Sequence, residues 1–536
     1  MTGKSHGIRE ESRAVALQPI LTASAVFMVL VWLSVFKQAM RIPLSHDENQ
    51  FIAAGRLAAG GLLPYRDFPS NHMPYLTFAY GAIFNLTNLS LMPARAVSAV
   101  SAALAVGLVF SMAGDFFRDK RKSTRFMISG TVGLLLITNP VFRYTSGRAW
   151  NHDLPALLTL IAVALFLRSK SAAHPDRWIL ASGALVGLAV GTRLTYLLAV
   201  IPFLLTIILR RYEAGWRERR SQGMYFSAGI GLASLPWAAL FAAAPRQFLF
   251  GNITYQSLNT DYRELLAHRV GETVLGKAIY FYHVLVDEPA NLLLFLAFGI
   301  LAALVVMKVT RRGVEAPEAM ILLGSLAVVL LGSAFAGTPA WYQYFFAPIP
   351  FIILASACGL SFIWPASARW EQALVGGAAV VFLASGMAIV SQKDWNSLRD
   401  SNTWVPVQAH KLGIQVEEMV GEGKVLTLAP IFPLEGGLRI YESLATGPFS
   451  WRVAPILTEM QRREFGLLSY ADLETVLQGD PPDAILVGLE AGNEGFEPGS
   501  KGGLEDPLDD YARQHGYSPV IMTTQLTEHE VRLWLR

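Results

Sequence analysis

Over most of the chain, apolar residues fall in long unbroken runs. Many of these reach about 20 residues, enough to cross a hydrocarbon layer roughly 30 Å thick. Eleven membrane-spanning helices are predicted: Val15–Phe36, Ala96–Gly114, Phe126–Phe142, Leu154–Leu167, Trp178–Thr192, Leu194–Leu209, Met224–Pro245, Pro289–Met307, Ala319–Ala340, Phe345–Ala368 and Ala373–Gln392. Beyond residue 393 the pattern turns polar. Strand-like runs "KVLTLAP" (424–430), "DAILVGL" (483–489), "SPVIMTT" (518–524) and "VRLWLR" (531–536) are separated by helix-like stretches "ADLETVLQG" and "DPLDDYARQHG". The expected fold class is a polytopic α-helical membrane protein carrying a small C-terminal α/β domain outside the membrane. The expected division is a cytoplasmic tail (1–14), a transmembrane domain (15–392) with outer loop 38–94, and a soluble domain (393–536).

Polar positions between the runs set the orientation. The loops "RDKRKSTR" (118–125), "RSKSAAHPDR" (168–177), "RRYEAGWRERR" (210–220) and "KVTRR" (308–312) are strongly basic and belong inside. Loops 38–94, 143–153, 246–288 and 341–344, with everything after 393, then lie outside. The uncharged segment "PYLTFAYGAIFNLTNLS" (74–90) would invert every later loop if it crossed, so it is read as an outer helix in or near the interface. Arg193 interrupts 32 otherwise uncharged residues (178–209). It fits an outer turn between two short spans better than mid-membrane, where a charge costs several kcal/mol. The first apolar run is longer than a signal-peptide core, so it is expected to be retained as a span.

Composition agrees: of 536 residues, 53% are hydrophobic and 16% charged. A net charge of +3 gives no reason to expect nucleic acid as a partner, and the single cysteine, Cys358, rules out an intramolecular disulfide. The expected setting is a bacterial inner membrane, N-terminus inside.

Candidate chemistry gathers on the outer face, near span ends: Asp47, Glu48, Arg56, Arg66, Asp67, His72, Arg148, His152, Asp153, Arg193, Tyr342 and Tyr344. Mid-span positions carry almost no ionisable groups, which argues against an ion-coupled transporter. Ser45-His46-Asp47-Glu48 has the S-x-x-E form of a capping box, with Ser45 as N-cap and Glu48 at the third helical position. A cap alone would make Glu48 worth on the order of 1 kcal/mol. Phe51, Ala54 and Ala58 share a face with Asp47, which predicts a short amphipathic helix along the membrane surface. Asp47 is not needed for the cap, which leaves it for general-base work. Asp153, ahead of Pro155, is either a second acid or a helix cap. Arg148 and Arg193 suit a lipid phosphate or are interfacial arginines with buried stems. His46, His72 and His152 lie near the acids without tight metal-ligand spacing; a divalent metal is not required. Loop 246–288, with Tyr255, Asp261, Arg263, His268 and Tyr282, is large enough to shape an acceptor site.

The stretch "HDENQFIAAGRLAAGGLLPYRDF" resembles the first outer loop of GT-C glycosyltransferases of the protein O-mannosyltransferase and lipid A aminoarabinose transferase kind. Asp47, Glu48, Phe51, Arg56 and Gly60 match that motif. "SGRAWNHDLPALL" is similar to the second outer loop, with Asp153 as its acid. "GLAVGTRLTYLLAVIPFLL" is similar to a segment in which a basic residue follows Gly-Thr, here Arg193; "WYQYFFAPIP" is a weaker echo. A single Pro74 stands where the family often has paired prolines. The resemblance spans most of 15–365. It implies transfer of a sugar from a polyprenyl-phosphate donor to an extracytoplasmic acceptor (a glycolipid, polysaccharide or protein), with Asp47 as base, Asp153 and Glu48 beside it, and inversion of configuration. The remaining site positions, Arg56, Arg66, His72, Arg148, His152, Arg193, Tyr342 and Tyr344, are then expected to contact substrate. A transporter or flippase of lipid-linked saccharides is the alternative, and a scaffold presenting the C-terminal domain a third reading.

Overall fold

Peptide groups without water must hydrogen-bond within their own segment, so the apolar runs fold as helices. The computed structural model describes residues 4–210, 215–265, 273–337, 339–364, 399–490 and 503–536, with isolated helical positions between 372 and 387 and side chains from residue 23. Through the first two-thirds of the chain run α1 (Lys4–Arg41), α2 (His46–Ala59), α3 (Tyr75–Phe84), α4 (Leu91–Phe116), α5 (Lys122–Thr138), α6 (Pro140–Thr145), α7 (Asp153–Ser169) and α8 (Pro175–Thr192). They are followed by α9 (Val200–Leu209), α10 (Trp216–Ala243), α11 (Pro245–Leu249), α12 (Tyr255–Leu265), α13 (Val274–Val286), α14 (Pro289–Arg312), α15 (Glu318–Ala334) and α16 (Ile349–Ile363).

Among the described residues, five helical stretches are long and apolar enough to cross a membrane: Ala23–Arg41, Leu91–Phe116, Trp216–Ala243, Pro289–Arg312 and Tyr342–Ile363. The spans expected near α5, α7, α8, α9 and α15 are helical but shorter, at 10 to 18 residues. The last expected span, Ala373–Gln392, lies largely outside the described residues. Segment 74–90 forms only the ten-residue α3. At about 1.5 Å per residue that is roughly 15 Å, half a hydrocarbon core.

Helices α7 and α8 form an antiparallel hairpin whose far face meets α10 through small residues. A Cβ on Gly229 would lie 2.1 Å from the Leu180 carbonyl oxygen, and one on Gly183 2.1 Å from that of Phe226. Only glycine permits this backbone approach. At the basic end of the bundle Arg210 joins four helices: it bonds Glu318 of α15, Gln222 of α10, and the Phe166 carbonyl and Ser169 hydroxyl of α7.

The C-terminal strands form one mixed sheet, β1 (Lys424–Leu426), β2 (Arg439–Ile440), β3 (Ala484–Val487), β4 (Ser518–Met522) and β5 (Val531–Leu535), in the order β2-β1-β3-β5-β4. The four strand-like runs of the sequence all appear; β2, two residues long, gave no signal. The sheet shares its core with the helical part. Val425, Leu486 and Leu533 pack in one cluster with Ala409, Leu412 and Val416 of α17 (Val405–Val420) and with Phe51, Ile52, Leu76 and Tyr80 of α2 and α3. Two polar clamps fix the contact. Asn49 of α2 donates to Glu490 (3.0 Å) and accepts from the Ile431 amide (3.3 Å). Glu435, at the end of α18 (Ile431–Glu435), accepts from the Ser90 and Leu91 amides that open α4. Helix α2 is therefore not amphipathic on a membrane surface: its residues 48–55 are all buried, and the C-terminal part packs against it, Phe51 and Ile52 included.

The joint between α1, α2 and α4 is an ion pair. Arg95 of α4 grips Glu48 with two bonds, Nε to Oε1 (2.8 Å) and Nη2 to Oε2 (2.6 Å), and both side chains are 0% exposed. The Ala149 amide donates to Oε1 and the Ser45 amide to Oε2. Arg95 spends its other donors on the carbonyls of Ala39, Ile42 and Pro43, which end α1. Burial alone would raise the Glu48 carboxyl; Arg95 and the Ala149 amide outweigh it and hold the group below the ordinary carboxylate value. The capping box does form, but Glu48 is much more than a cap.

Removing one partner of a buried pair strands a charge, at a cost of about 3–5 kcal/mol, whereas replacing both with apolar groups is often neutral. Arg95→Met should therefore lower the thermal midpoint of the purified protein by several degrees, and the double variant Glu48→Leu/Arg95→Met should recover most of the loss. Additive losses would show that the pair does not act as a unit.

Candidate functional site

Helix α2 starts at His46 because Ser45 is extended (φ −111°, ψ 140°) and its hydroxyl accepts from the Asp47 amide at 3.3 Å. Successive helical residues point about 100° apart. With Glu48 turned inward onto Arg95, Asp47 is turned away from it, its side chain 23% exposed and 3.7 Å from His46 Nε2. Of the two adjacent acids, one is buried in the fold and one stays partly exposed.

The loop from α6 to α7 makes the second wall. Gly147 (φ +86°) packs against Ala39 of α1, where a Cβ would come within 2.8 Å of the Ala39 Cβ, and its amide donates to Asp153 Oδ2 at 2.9 Å. Asp153 thus pins the loop that presents Asn151 and His152. Arg193, at the turn after α8, reaches both: Nη1 lies 2.8 Å from Asn151 Oδ1 and 3.0 Å from His152 Nε2. Arginine only donates, so His152 Nε2 is the acceptor and the ring is neutral with its proton on Nδ1. Burial, reinforced by Arg193, holds the His152 pKa well below its usual value in keeping with this. His72 stacks on Phe51 (centroids 4.8 Å) and is pushed down to about 3 by burial and then by Arg193. The face of Tyr344 lies 5.2 Å from the Arg193 guanidinium.

The third wall comes from residues far along the chain. Phe449 on α19 (Pro448–Val453) packs against His46 at 5.5 Å, with Arg452 over the Phe449 ring at 5.5 Å. Tyr255 and Tyr262 of α12 pack on Val453 of the same helix. Arg263 lies over Trp341 at 4.8 Å. The charges of Asp47, Arg452, Arg263 and Arg148 all act on His46, whose pKa is lowered chiefly by burial.

Asp47, His72, His152, Arg193 and Tyr344 are thus brought together, while other expected residues are bonded within the fold. Arg148 bonds the Pro43 and Tyr144 carbonyls and is sandwiched by Tyr144 and Trp150. Arg56 ties α2 to the loop before α4 through Ser90, Phe84 and Asn88. Arg66 is exposed and pairs with its neighbour Asp67. Tyr342 lies edge-on to Tyr144. Tyr282 is exposed on α13, and His268 lies outside the described residues. Sequence reasoning missed Arg95, Asn151 and Arg452. Arg95 had one signal, a lone cation at the head of an apolar run; Arg452 had none. Among the described residues, no three His, Cys, Asp or Glu side chains group as a metal site.

Residues 71–240 match the family model for dolichyl-phosphate-mannose-protein mannosyltransferase. A comparison with curated proteins gives no match. Among solved structures, the fold is similar to ArnT from Cupriavidus metallidurans bound to undecaprenyl phosphate, with TM-score 0.61 and 13% identity over 96% of this chain and 97% of that one. The apo form of the same protein matches equally, with TM-score 0.61 and 13% identity over 97% and 98%. The resemblance read from the outer loops is therefore met twice, in a sequence match over part of the helical region and in a fold shared along nearly the whole chain.

Because the Glu48 pKa is lower folded than unfolded, the unfolded state binds more protons in the acid range, and stability rises with pH there. The Glu48 contribution should be complete above the ordinary carboxylate value of 4.5 and be lost as pH falls through its lowered value. Thermal midpoints measured against pH should drop more steeply on the acid side for the wild type than for Glu48→Gln.

Proposed function

We propose that this protein is a membrane glycosyltransferase that moves a sugar from a polyprenyl-phosphate-linked donor to an acceptor hydroxyl, with Asp47 as general base. The observation that carries this reading is the division of labour at the head of α2. Glu48 is fully engaged by Arg95 and two amides, while Asp47 stays partly open. The mannosyltransferase family match over 71–240 and the fold shared with a protein crystallised with undecaprenyl phosphate support the donor class.

Each residue then has a role. The lipid tail lies among the apolar helices and its phosphate meets Arg193, a cation already oriented by Asn151, His152 and Tyr344. Neutral His72 and His152 add hydrogen-bonding edges without more charge. Asp47 takes the acceptor proton as the acceptor oxygen bonds to the anomeric carbon. The bond from that carbon to the phosphate oxygen breaks, its electron pair leaving on polyprenyl phosphate, which Arg193 stabilises. One direct displacement inverts the anomeric configuration. Asp153 is assigned the positioning of loop 147–152 rather than proton transfer, since its Oδ2 holds the Gly147 amide. The site and the C-terminal sheet are assigned to the extracytoplasmic side, because the basic loops lie at the opposite end of the helices.

Loss of a general base costs about 10²–10⁴ in rate. Asp47→Asn should lower donor consumption by that factor in membranes, with insertion and thermal midpoint unchanged; near-normal turnover would refute the mechanism. Arg193→Met should weaken binding of undecaprenyl phosphate at least tenfold, read by titration of the purified protein, while Arg66→Met, at an exposed residue paired with Asp67, should leave it intact.

A further inference from the structure

A cavity of about 190 Å³ opens where β3 ends, lined by Gly488, Glu505, Asp506, Asp509, Glu530 and Arg532 among others. None of these belongs to the cluster around Asp47. Four carboxylates there stand against one guanidinium. Three of them are met within the fold. Asp509, on α20 (Asp506–Gln514), accepts from Arg532 at 2.7 Å, from Trp534 Nε1 at 2.8 Å and from Arg513. Asp506 accepts from the Gly503 amide at 2.8 Å, and Glu530 lies 3.4 Å from Arg532 Nε.

Glu505 differs. It is 3% exposed, and its Oε2 accepts from the amides of Gly488 (2.7 Å) and Glu490 (3.1 Å). Its Oε1 has no hydrogen-bond partner among the described residues. Native interiors pair nearly all such atoms, so this one points to a partner that arrives from outside. The turn that presents those amides needs glycine. Gly488 is left-handed (φ +101°), and a Cβ there would lie 2.2 Å from the Glu530 carbonyl oxygen. Burial pushes the Glu505 carboxyl up to about 7, against the pull of the amides.

A leftover acceptor among carboxylates calls for a donor that carries positive charge. A bare metal ion fits poorly, since among the described residues no three His, Cys, Asp or Glu side chains group as its ligands. A guanidinium donates as a two-pronged fork, and only one oxygen of Glu505 is left; an ammonium is a point donor. We propose that this cavity binds a small organic molecule through a primary ammonium paired with Glu505, and that the occupant steadies α2. The link to α2 is short: Glu490, whose amide Glu505 holds, accepts from Asn49 at 3.0 Å, and Asn49 directly follows Glu48.

The test titrates the full chain, in phosphatidylcholine nanodiscs, with ethanolamine. It should bind at least tenfold more tightly than ethylene glycol, which carries a hydroxyl in place of the ammonium, and than methylguanidinium or Mg²⁺. The ammonium pairs with ionised Glu505, and the ionised fraction of a group titrating near 7 falls about tenfold from pH 8 to pH 6, so the Kd should rise by that factor. The other charged groups facing Glu505 are Asp506, Asp509 with its partner Arg513, Glu490, Glu530, Arg532 and His529, of which His529 also titrates in this range. His529→Gln should therefore keep the pH dependence, and Glu505→Gln should lose both it and at least tenfold in affinity. Should Glu505→Gln fail to fold, the pH dependence of the wild type and of His529→Gln decides. Saturating ethanolamine should slow hydrogen exchange of the α2 amides about threefold, and Asn49→Leu should abolish that slowing while still binding. Adding phosphatidylethanolamine to the disc separates the sources: competition assigns the ammonium to a lipid headgroup, and none assigns it to a soluble amine. Equal binding of ethylene glycol, tighter binding of Mg²⁺ or methylguanidinium, an unchanged Kd between pH 8 and pH 6, or full affinity in Glu505→Gln would each overturn the site. Unaltered exchange in α2 would overturn the link.

Discussion

The Glu48–Arg95 pair is the constraint on which the half of the molecule around the C-terminal sheet depends. Two charges removed from water must each be met by well-placed partners, or the desolvation cost exceeds their attraction. Here both are. Glu48 takes two bonds from Arg95 and two from backbone amides, while Arg95 also closes the carbonyl end of α1. One pair therefore fixes the exit of α1, the start of α2, the head of α4 and the loop before α7. Because Glu48 is committed to it, the preceding residue is held in one orientation, turned about 100° away around the helix axis.

The C-terminal sheet extends the same logic. Asn49, next to Glu48, is held by Glu490 and the Ile431 amide, and Glu435 satisfies the amides that open α4. Both contacts fall on the helices that carry the ion pair, so the sheet serves as the outer wall of the site as well as a separate layer. Phe449 and Arg452 come from this wall and lie against His46. The site is thus assembled from the segment between α1 and α4, the loop between α6 and α7, the turn after α8, the segment entering α12 and a helix more than 400 residues beyond Asp47.

Local signals in the sequence were read well where the cause is local. The capping box at Ser45 and Glu48 depends on four consecutive residues, and it forms. The turn at Arg193 follows from the cost of a charge among apolar residues, and it lies beside the head of α7. The strands at 424, 484, 518 and 531 follow from their apolar runs. Partners set by packing left no local signal. Arg56, Arg66 and Arg148 have the character of ligand-binding cations, and each is bonded within the fold. The apolar face of α2 predicted a membrane surface, and a protein surface covers it.

Sequence alone thus determined that this is a many-helix membrane protein with acids, arginines and histidines gathered near its span ends, because span length, charge placement and capping are properties of contiguous residues. Only the tertiary structure decided which acid is buried in the fold and which stays partly exposed. Asp47 and Glu48 are adjacent, equally charged and equally placed at a helix start. What separates them is Arg95, 47 residues away, and a buried carboxylate goes to the partner that compensates its charge.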